Sequence, residues 1–259
     1  MGQDSLERAV RASGIEVPPV FLVATGSTNI EARALADAGA PEWTVVSAGH
    51  QTAGRGRMGR RWMSAPGRSL LFSLVLRPTL PPDDAAVISL LAAAEMAAAC
   101  RRVAGVEVVS EWPNDLLAGR RKVGGILTET AIADEKIEYL VLGMGVNVSM
   151  REEDFPGQIR ETATSLEMRG GSTQPFDLLQ AFLAGFRDAY RPSQEGFARS
   201  VVGRYRPLCA TLGRRVQASV LDGTTVVGSA VDLDDRGGLV VEVDGSRKKV
   251  AFGEIVHLD

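Results

Sequence analysis

The sequence predicts an α+β protein: a mixed or antiparallel β-sheet flanked by helices, followed by a small all-β domain at the C-terminal end. Three patterns predict this. Between residues 106 and 148 short apolar runs alternate with tight turns, as successive strands do. Ala85 to Cys100 is strongly apolar and sits between Asp83-Asp84 and Arg101-Arg102, a charge order that matches the dipole of a buried helix. From Leu212 onward every apolar run is short, and the breaks are Asp222-Gly223, Arg236-Gly237-Gly238 and Asp244-Gly245. This change in composition divides the chain into residues 1–210 and 211–259.

In order, Val20 to Ala24 reads as a strand, and Ser27-Thr28-Asn29 opens a helix from about Ile30 to Ala38. Thr28 and Glu31 have capping-box spacing. Thr44 to Ala48 is a second strand, which delivers the chain into a Gly/Arg-rich loop. Leu70 to Arg77 alternates as a third, and Pro78 to Pro82 breaks it before the Ala-rich helix. Val106 to Trp112, Leu116-Leu117, Lys122 to Glu129 and Ile137 to Val148 follow as strands. Helical patterns cover Phe176 to Tyr190 and Gln194 to Arg206, before terminal strands VQASVL, VVGSAVDL, LVVEV and KKVAFGEIVHL.

Composition narrows the function classes. Hydrophobic residues are 45% and charged residues 24% of 259, which is ordinary globular usage. A formal charge of -3 argues against a general nucleic-acid binder and leaves only a local basic patch for such a role. Cys100 and Cys209 are the only cysteines, which suggests neither a disulfide scaffold nor a zinc knuckle and fits a reducing cytoplasm. The start, MGQDSLERAV, lacks the apolar core of a signal peptide, and the Ala-rich helix is short and carries Glu95. No membrane role is expected.

Four constellations carry chemistry. In GRGRMGRRW, residues 54–62, Arg55, Arg57, Arg60 and Arg61 concentrate charge while Gly54, Gly56 and Gly59 bare the backbone, a pattern suited to carboxylate and phosphate. The same loop also suits a solvated surface or an RNA contact, and it is expected to order around its ligand. Trp112-Pro113-Asn114-Asp115 followed by Lys122 brings a carboxylate and an amine together on one hairpin, with Gly124 and Gly125 bare beside them. Such a pair steers phosphoryl chemistry, and it also fits an Asx turn with a surface lysine. Gly143, Gly145 and Asn147 share one strand face, a seat for a flat purine or sugar or simply a close packing site. Ser27, Thr28, Asn29 and Gln51 are helix-start residues that either cap the helix or bind a polar ligand group such as a urea.

Taken together these motifs resemble the biotin–protein ligase family: GSTN at 26–29, HQTAGRGRMGRRW at 50–62, WPNDLL at 112–117, RKVGGILTE at 121–129, GMGVNV at 143–148 and GEI at 253–255. The GRGRxGRxW run is the specific part. Too little chain precedes Val20 for the winged-helix domain of regulatory members, so the likeness is to the monofunctional type. It implies a mixed sheet flanked by helices plus an SH3-like C-terminal barrel. It also implies a two-step reaction with ATP and Mg²⁺: biotin becomes biotinyl-5′-AMP, then passes to a lysine of a biotin carboxyl carrier domain. No DNA or membrane partner is implied, and a homodimer is compatible with the family. Lipoate or octanoate ligases share the catalytic fold and are the nearest rival; a biotin-binding protein without turnover is another.

By this resemblance Lys122, Asp115 and Arg57 serve catalysis, with Asp115 either holding metal or activating the acceptor lysine. Ser27, Thr28, Asn29, Gln51, Gly54, Arg55, Gly56, Arg57, Lys122 and Gly125 surround biotin. Arg57, Arg60, Trp62, Asn114, Lys122 and Asn147 face ATP. One position departs: the residue before Trp-Pro-Asn-Asp is usually lysine in the family and is Glu111 here. Two like charges about 4 Å apart at a surface-like dielectric repel by roughly 4 kcal/mol, so Glu111 must turn away from the nucleotide, be compensated, or impair the reaction.

Overall fold

The structure, a computed structural model, describes residues 2–219, 224–251 and 254–258. The Asp222-Gly223 turn, the Val220-Leu221 end of the first C-terminal strand and Gly253 of the GEI run lie outside the described residues.

The chain runs α1 (Gln3–Ala12), β1 (Val20–Leu22), α2 (Thr28–Asp37), β2 (Val45–Ala48), β3 (Ser69–Leu76), α3 (Ala86–Ala104), β4 (Val109–Glu111), β5 (Asp115–Ala118), β6 (Arg121–Ala133) and β7 (Lys136–Asn147). It continues with α4 (Pro175–Ala189), α5 (Phe197–Tyr205), β8 (Arg215–Ser219), β9 (Thr225–Leu233), β10 (Leu239–Val243), β11 (Ser246–Val250) and β12 (Glu254–His257). The large sheet has the order β1-β2-β3-β7-β6-β5-β4. Only β1 and β2 pair in parallel, so the sheet is mixed. The second sheet, β11-β10-β9-β8-β12, is antiparallel throughout.

Alternation along β3 and β7 decides what lies on each face. Leu70, Phe72, Leu74 and Leu76, with Leu140, Leu142, Met144 and Val146, pack into one core with α3 and α4. Val75, Tyr139 and Val141 pack on the other side with Ala32 and Ala36 of α2. On that second face Ser69, Ser73, Gly143, Gly145 and Asn147 continue where the apolar residues stop. Period-two alternation therefore yields a buried side and a functional side from the same strands.

Several boundaries differ from expectation. Ser27, not Thr28, is the helix N-cap, and Glu31 accepts a bond from Thr25 Oγ1 (2.6 Å) in place of forming a capping box. Asp83 and Asp84 make a single 3₁₀ turn and pair with Arg236 at 3.3 and 3.1 Å, so α3 begins at Ala86. It ends where Gly105 takes a left-handed φ of 69°. The run from Val106 to Trp112 is strand only over β4. KKVAFGEIVHL is two strands, β11 and β12, on opposite edges of the small sheet. The helix α1 carried no clear sequence signal: its stripe is only Leu6, Ala9 and Val10 within a charged run.

The outer edge of β4 is covered by the chain leading into the small sheet. Ala210 N–H donates to Ser110 O (2.8 Å), and Trp112 N–H donates to Thr211 Oγ1 (2.9 Å). The Trp112 indole N–H donates to Gly237 O (2.9 Å) between β9 and β10. The ring is 2% exposed, so this bond is made in the interior, where a lost partner is most damaging. Among the described residues no helix is long and apolar enough to cross a membrane.

Candidate functional site

A cavity of about 530 Å³ opens on the α2 side of the large sheet, over β7, β6 and β5. Its depth comes from glycine. A Cβ on Gly143 would fall on the Asn29 amide, and one on Gly145 would come within 2.6 Å of the Trp62 ring. The bare face is thus already furnished with an amide and an indole, the close packing that was one of the two readings of these glycines.

One end is a chain of hydrogen bonds. Gln51 Oε1 accepts from Thr28 N–H (2.7 Å) and from Thr28 Oγ1 (3.1 Å), and Ser73 Oγ lies 2.8 Å from Thr28 Oγ1 and 2.6 Å from Asn29 Oδ1. Asn29 Nδ2 donates to Glu129 Oε2 (2.7 Å) and Leu127 O (3.2 Å). Glu129 in turn pairs with Arg55 at 3.0 Å. Ser27, Thr28 and Asn29 are each 3–4% exposed. Buried polar groups persist only when bonded, so this network holds a fixed set of donors and acceptors at the cavity wall.

The Gly/Arg loop is a small hairpin. Trp62 N–H donates to Gly54 O (3.0 Å), Gly56 N–H donates to Arg60 O (2.8 Å), and Met58 and Gly59 turn the tip at φ of 53° and 74°. Gly54 does not line the cavity. A Cβ on it would stand 2.5 Å from Trp62 O, so the closure of the hairpin requires glycine here. Gly56, Arg55, Arg57, Arg60 and Trp62 do line the cavity.

At the centre, Lys122 Nζ lies 2.6 Å from Asp115 Oδ2, and Arg57 donates to Asn114 Oδ1 (3.1 Å). The β5–β6 pairing brings them together: Asp115 stands opposite Gly125, and Asn114 holds the start of β5 by bonds to Ile126 N–H and O. Asn147 also lines the cavity, but its amide donates to Thr164 O (3.0 Å) and lies 3.4 Å from Ser69 Oγ, so much of its capacity ties loop to strand. Among the described residues, six cationic side chains and two carboxylates, Glu111 and Asp115, line the space. That balance attracts a polyanion.

Sequence reasoning missed several lining residues. Phe155, Ile159, Thr162 and Ala163 come from a segment without periodicity, pinned beside the cavity by Lys122 N–H to Thr162 O (2.7 Å). Ser73 and Glu129 complete the buried network; Glu129 ends the RKVGGILTE motif and Ser73 pairs with Gly143, which were the available signals. Arg120, on the β5–β6 turn, lines the cavity and has no hydrogen-bond or ion-pair partner among the described residues. Ile255 of β12 brings the small sheet to the rim.

Cysteine chemistry has no place here. Burial pushes the Cys100 thiol up to about 12, and burial likewise raises that of Cys209. No group of three metal-ligating side chains gathers among the described residues.

Residues 28–147 match the model of the biotin/lipoate A/B protein ligase family, and residues 211–258 match the biotin protein ligase C terminal domain. The chain is 34% identical over 230 residues to a bifunctional ligase/repressor BirA of Bacillus spizizenii, covering 88% of this chain and 70% of that one. It is 34% identical over 239 residues to a biotin–[acetyl-CoA-carboxylase] ligase of Mycobacterium tuberculosis, covering 90% and 86%. In three dimensions it is similar to the Aquifex aeolicus biotin protein ligase in complex with biotin and ATP, with a TM-score of 0.76 at 25% identity over 92% of this chain and 97% of that one.

Proposed function

The chain belongs to the biotin/lipoate A/B protein ligase family, and on that premise we propose that it is a biotin–protein ligase that forms biotinyl-5′-AMP from biotin and ATP and transfers biotin to a lysine. The observation that carries this reading is the single cavity in which a buried amide-hydroxyl network, a lysine–carboxylate pair and an arginine hairpin stand side by side. The network suits a neutral ureido ring, and the cations suit a carboxylate and a triphosphate.

In the first step a biotin carboxylate oxygen bonds to the α-phosphorus of ATP, the bond to the bridging oxygen of the β-phosphate breaks, and pyrophosphate leaves. Negative charge gathers on the equatorial oxygens. Arg57 and Lys122 are the groups we assign to that charge, because both line the cavity beside Asn114 and Asp115. Mg²⁺, when bound, neutralises charge on the triphosphate, and with only Asp115 and Glu111 as cavity carboxylates it would be carried mainly on phosphate oxygens.

In the second step the acceptor amine attacks the mixed-anhydride carbonyl, a C–N bond forms, and AMP leaves. We assign Asp115 to hold the incoming ammonium and take its proton, which requires it to exchange its bond to Lys122. The acceptor is a carrier lysine of a biotin-dependent carboxylase, the class named for the Mycobacterium relative. Thr28, Asn29 and Gln51 are assigned to biotin, and Trp62 and Asn147 to the nucleotide side. The indole N–H of Trp62 is buried without a partner among the described residues, which supports a ligand group reaching it. An adenylate hydrolyses in water, so the hairpin doubles as a cover.

ATP–pyrophosphate exchange driven by biotin, followed by biotin transfer to a purified carrier domain, tests the function. Exchange driven by lipoate or octanoate in its place would overturn it, and so would biotin binding with no exchange.

A further inference from the structure

Glu111 breaks the charge pattern of its own cavity: it lines the space beside the cations proposed to face ATP. In the β4–β5 register it stands directly opposite Asp115. Two carboxylates opposed on one sheet face repel, and both would compete for Lys122. The structure separates them. Lys122 Nζ draws Asp115 to one side at 2.6 Å, and His257 Nε2 of β12 stands 2.8 Å from Glu111 Oε1 on the other.

His257 is set for this. Both ring nitrogens are shielded from solvent, and neither makes a well-aligned hydrogen bond, so the contact with Glu111 is one of charge and proximity in which the imidazole is the cationic partner when protonated. Its strand is held by pairing with β8, where His257 stands opposite Val216, a fully buried core residue. Ile255, two residues back on β12, lines the same cavity. The residues on either side of Glu111 are bonded to the small sheet and its lead-in as well, through Ser110, Trp112 N–H and the Trp112 indole.

We propose that His257 is a positioning residue of the adenylation site: it holds the Glu111 carboxylate away from the nucleotide and from Lys122, so that the C-terminal sheet supplies part of the active-site wall. The inference rests on the ligase reading, and it explains how a glutamate is tolerated where the family usually has lysine. His257 touches no reacting atom in this scheme and acts only through Glu111.

The test is a double-mutant cycle read in biotin-dependent ATP–pyrophosphate exchange with the full chain. His257→Ala should raise the KM for ATP roughly five- to tenfold with the KM for biotin unchanged, the scale of coupling between contacting charged groups. In a Glu111→Gln background the same substitution should raise it less than about twofold, since no carboxylate remains to be held. His257→Lys, which keeps a cation beside Glu111, should hold the KM for ATP near that of the parent. An equal rise in both backgrounds would show that His257 acts by packing and would overturn the inference, as would no rise in either. A parent chain without biotin-dependent exchange would overturn the ligase reading itself, a separate outcome.

Discussion

The two ends of the cavity are built on opposite principles. At the Thr28–Asn29–Gln51 end, Thr28 and Asn29 are nearly inaccessible, Gln51 is half-buried, and the three are bonded to one another or to the sheet. At the arginine end the groups ride on a hairpin whose tip is exposed, Met58 at 61%, and on a turn carrying the exposed Arg120. A rigid network recognises a small neutral group by shape and gains little from movement. A mobile cluster of cations can close on a polyanion and reopen to let product and acceptor pass. On the function proposed above, one face of one sheet holds a buried mould next to an exposed clamp.

Substitutions that remove the clamp's charge at the centre should have the largest effect. Lys122→Gln should lower the rate of adenylate formation by about 10²–10³-fold, while biotin affinity measured by calorimetry changes only a few-fold; a parallel collapse of biotin binding would erase the distinction between the ends. Arg57→Ala should come next, shortening adenylate retention by roughly tenfold or more, again with a smaller loss in free biotin binding. Equal losses in both would mean that the hairpin is part of the mould.

A pair of glycines sharpens the division further. Gly143→Ala pushes on Asn29 and should raise the KM for biotin, whereas Gly145→Ala pushes on Trp62 and should raise the KM for ATP. Each shift is expected to be on the order of tenfold, equivalent to about 1.4 kcal/mol of overpacking strain. If both substitutions moved the same KM, the two glycines would not mark a boundary. The smallest effect belongs to Arg120→Gln, about threefold in KM for ATP at low salt and less at high salt, because an exposed cation is screened. An unchanged KM at low salt would remove Arg120 from the clamp.

Much of this was legible in the chain because it is local. The alternation of Leu142, Met144 and Val146 against Gly143, Gly145 and Asn147 could be read directly, and it is what separates core from site. The GRGRMGRRW charge cluster was equally plain, and most of its members do line the cavity. What fills the glycine face was not legible, since Asn29 arrives from the start of α2 and Trp62 from the end of the Gly/Arg hairpin, both distant in sequence. The pairing of Glu111 with His257 was hidden for the same reason: it joins the edge of one sheet to the edge of another. The packing of Gly54 against Trp62 O was not legible either, because a bare backbone serves a ligand or a close approach and only neighbours reveal the second. The segment holding Phe155 and Ile159 has no period to read and takes its place from two backbone bonds to Lys122.

The covering of β4 has a consequence for handling the protein. β4 is the last strand of the seven-stranded sheet, and on its free side Cys209 pairs with Ser110, Ala210 N–H bonds Ser110 O, and Thr211 Oγ1 takes the N–H of Trp112 just beyond the strand. Cutting the chain before Cys209 would strip that cover, leave the Trp112 indole N–H without its acceptor, and present an open strand edge to other copies. Truncated chains should therefore precipitate or pair edge to edge, because residues 209–211, the lead-in to the small sheet, are what close this edge of the larger one.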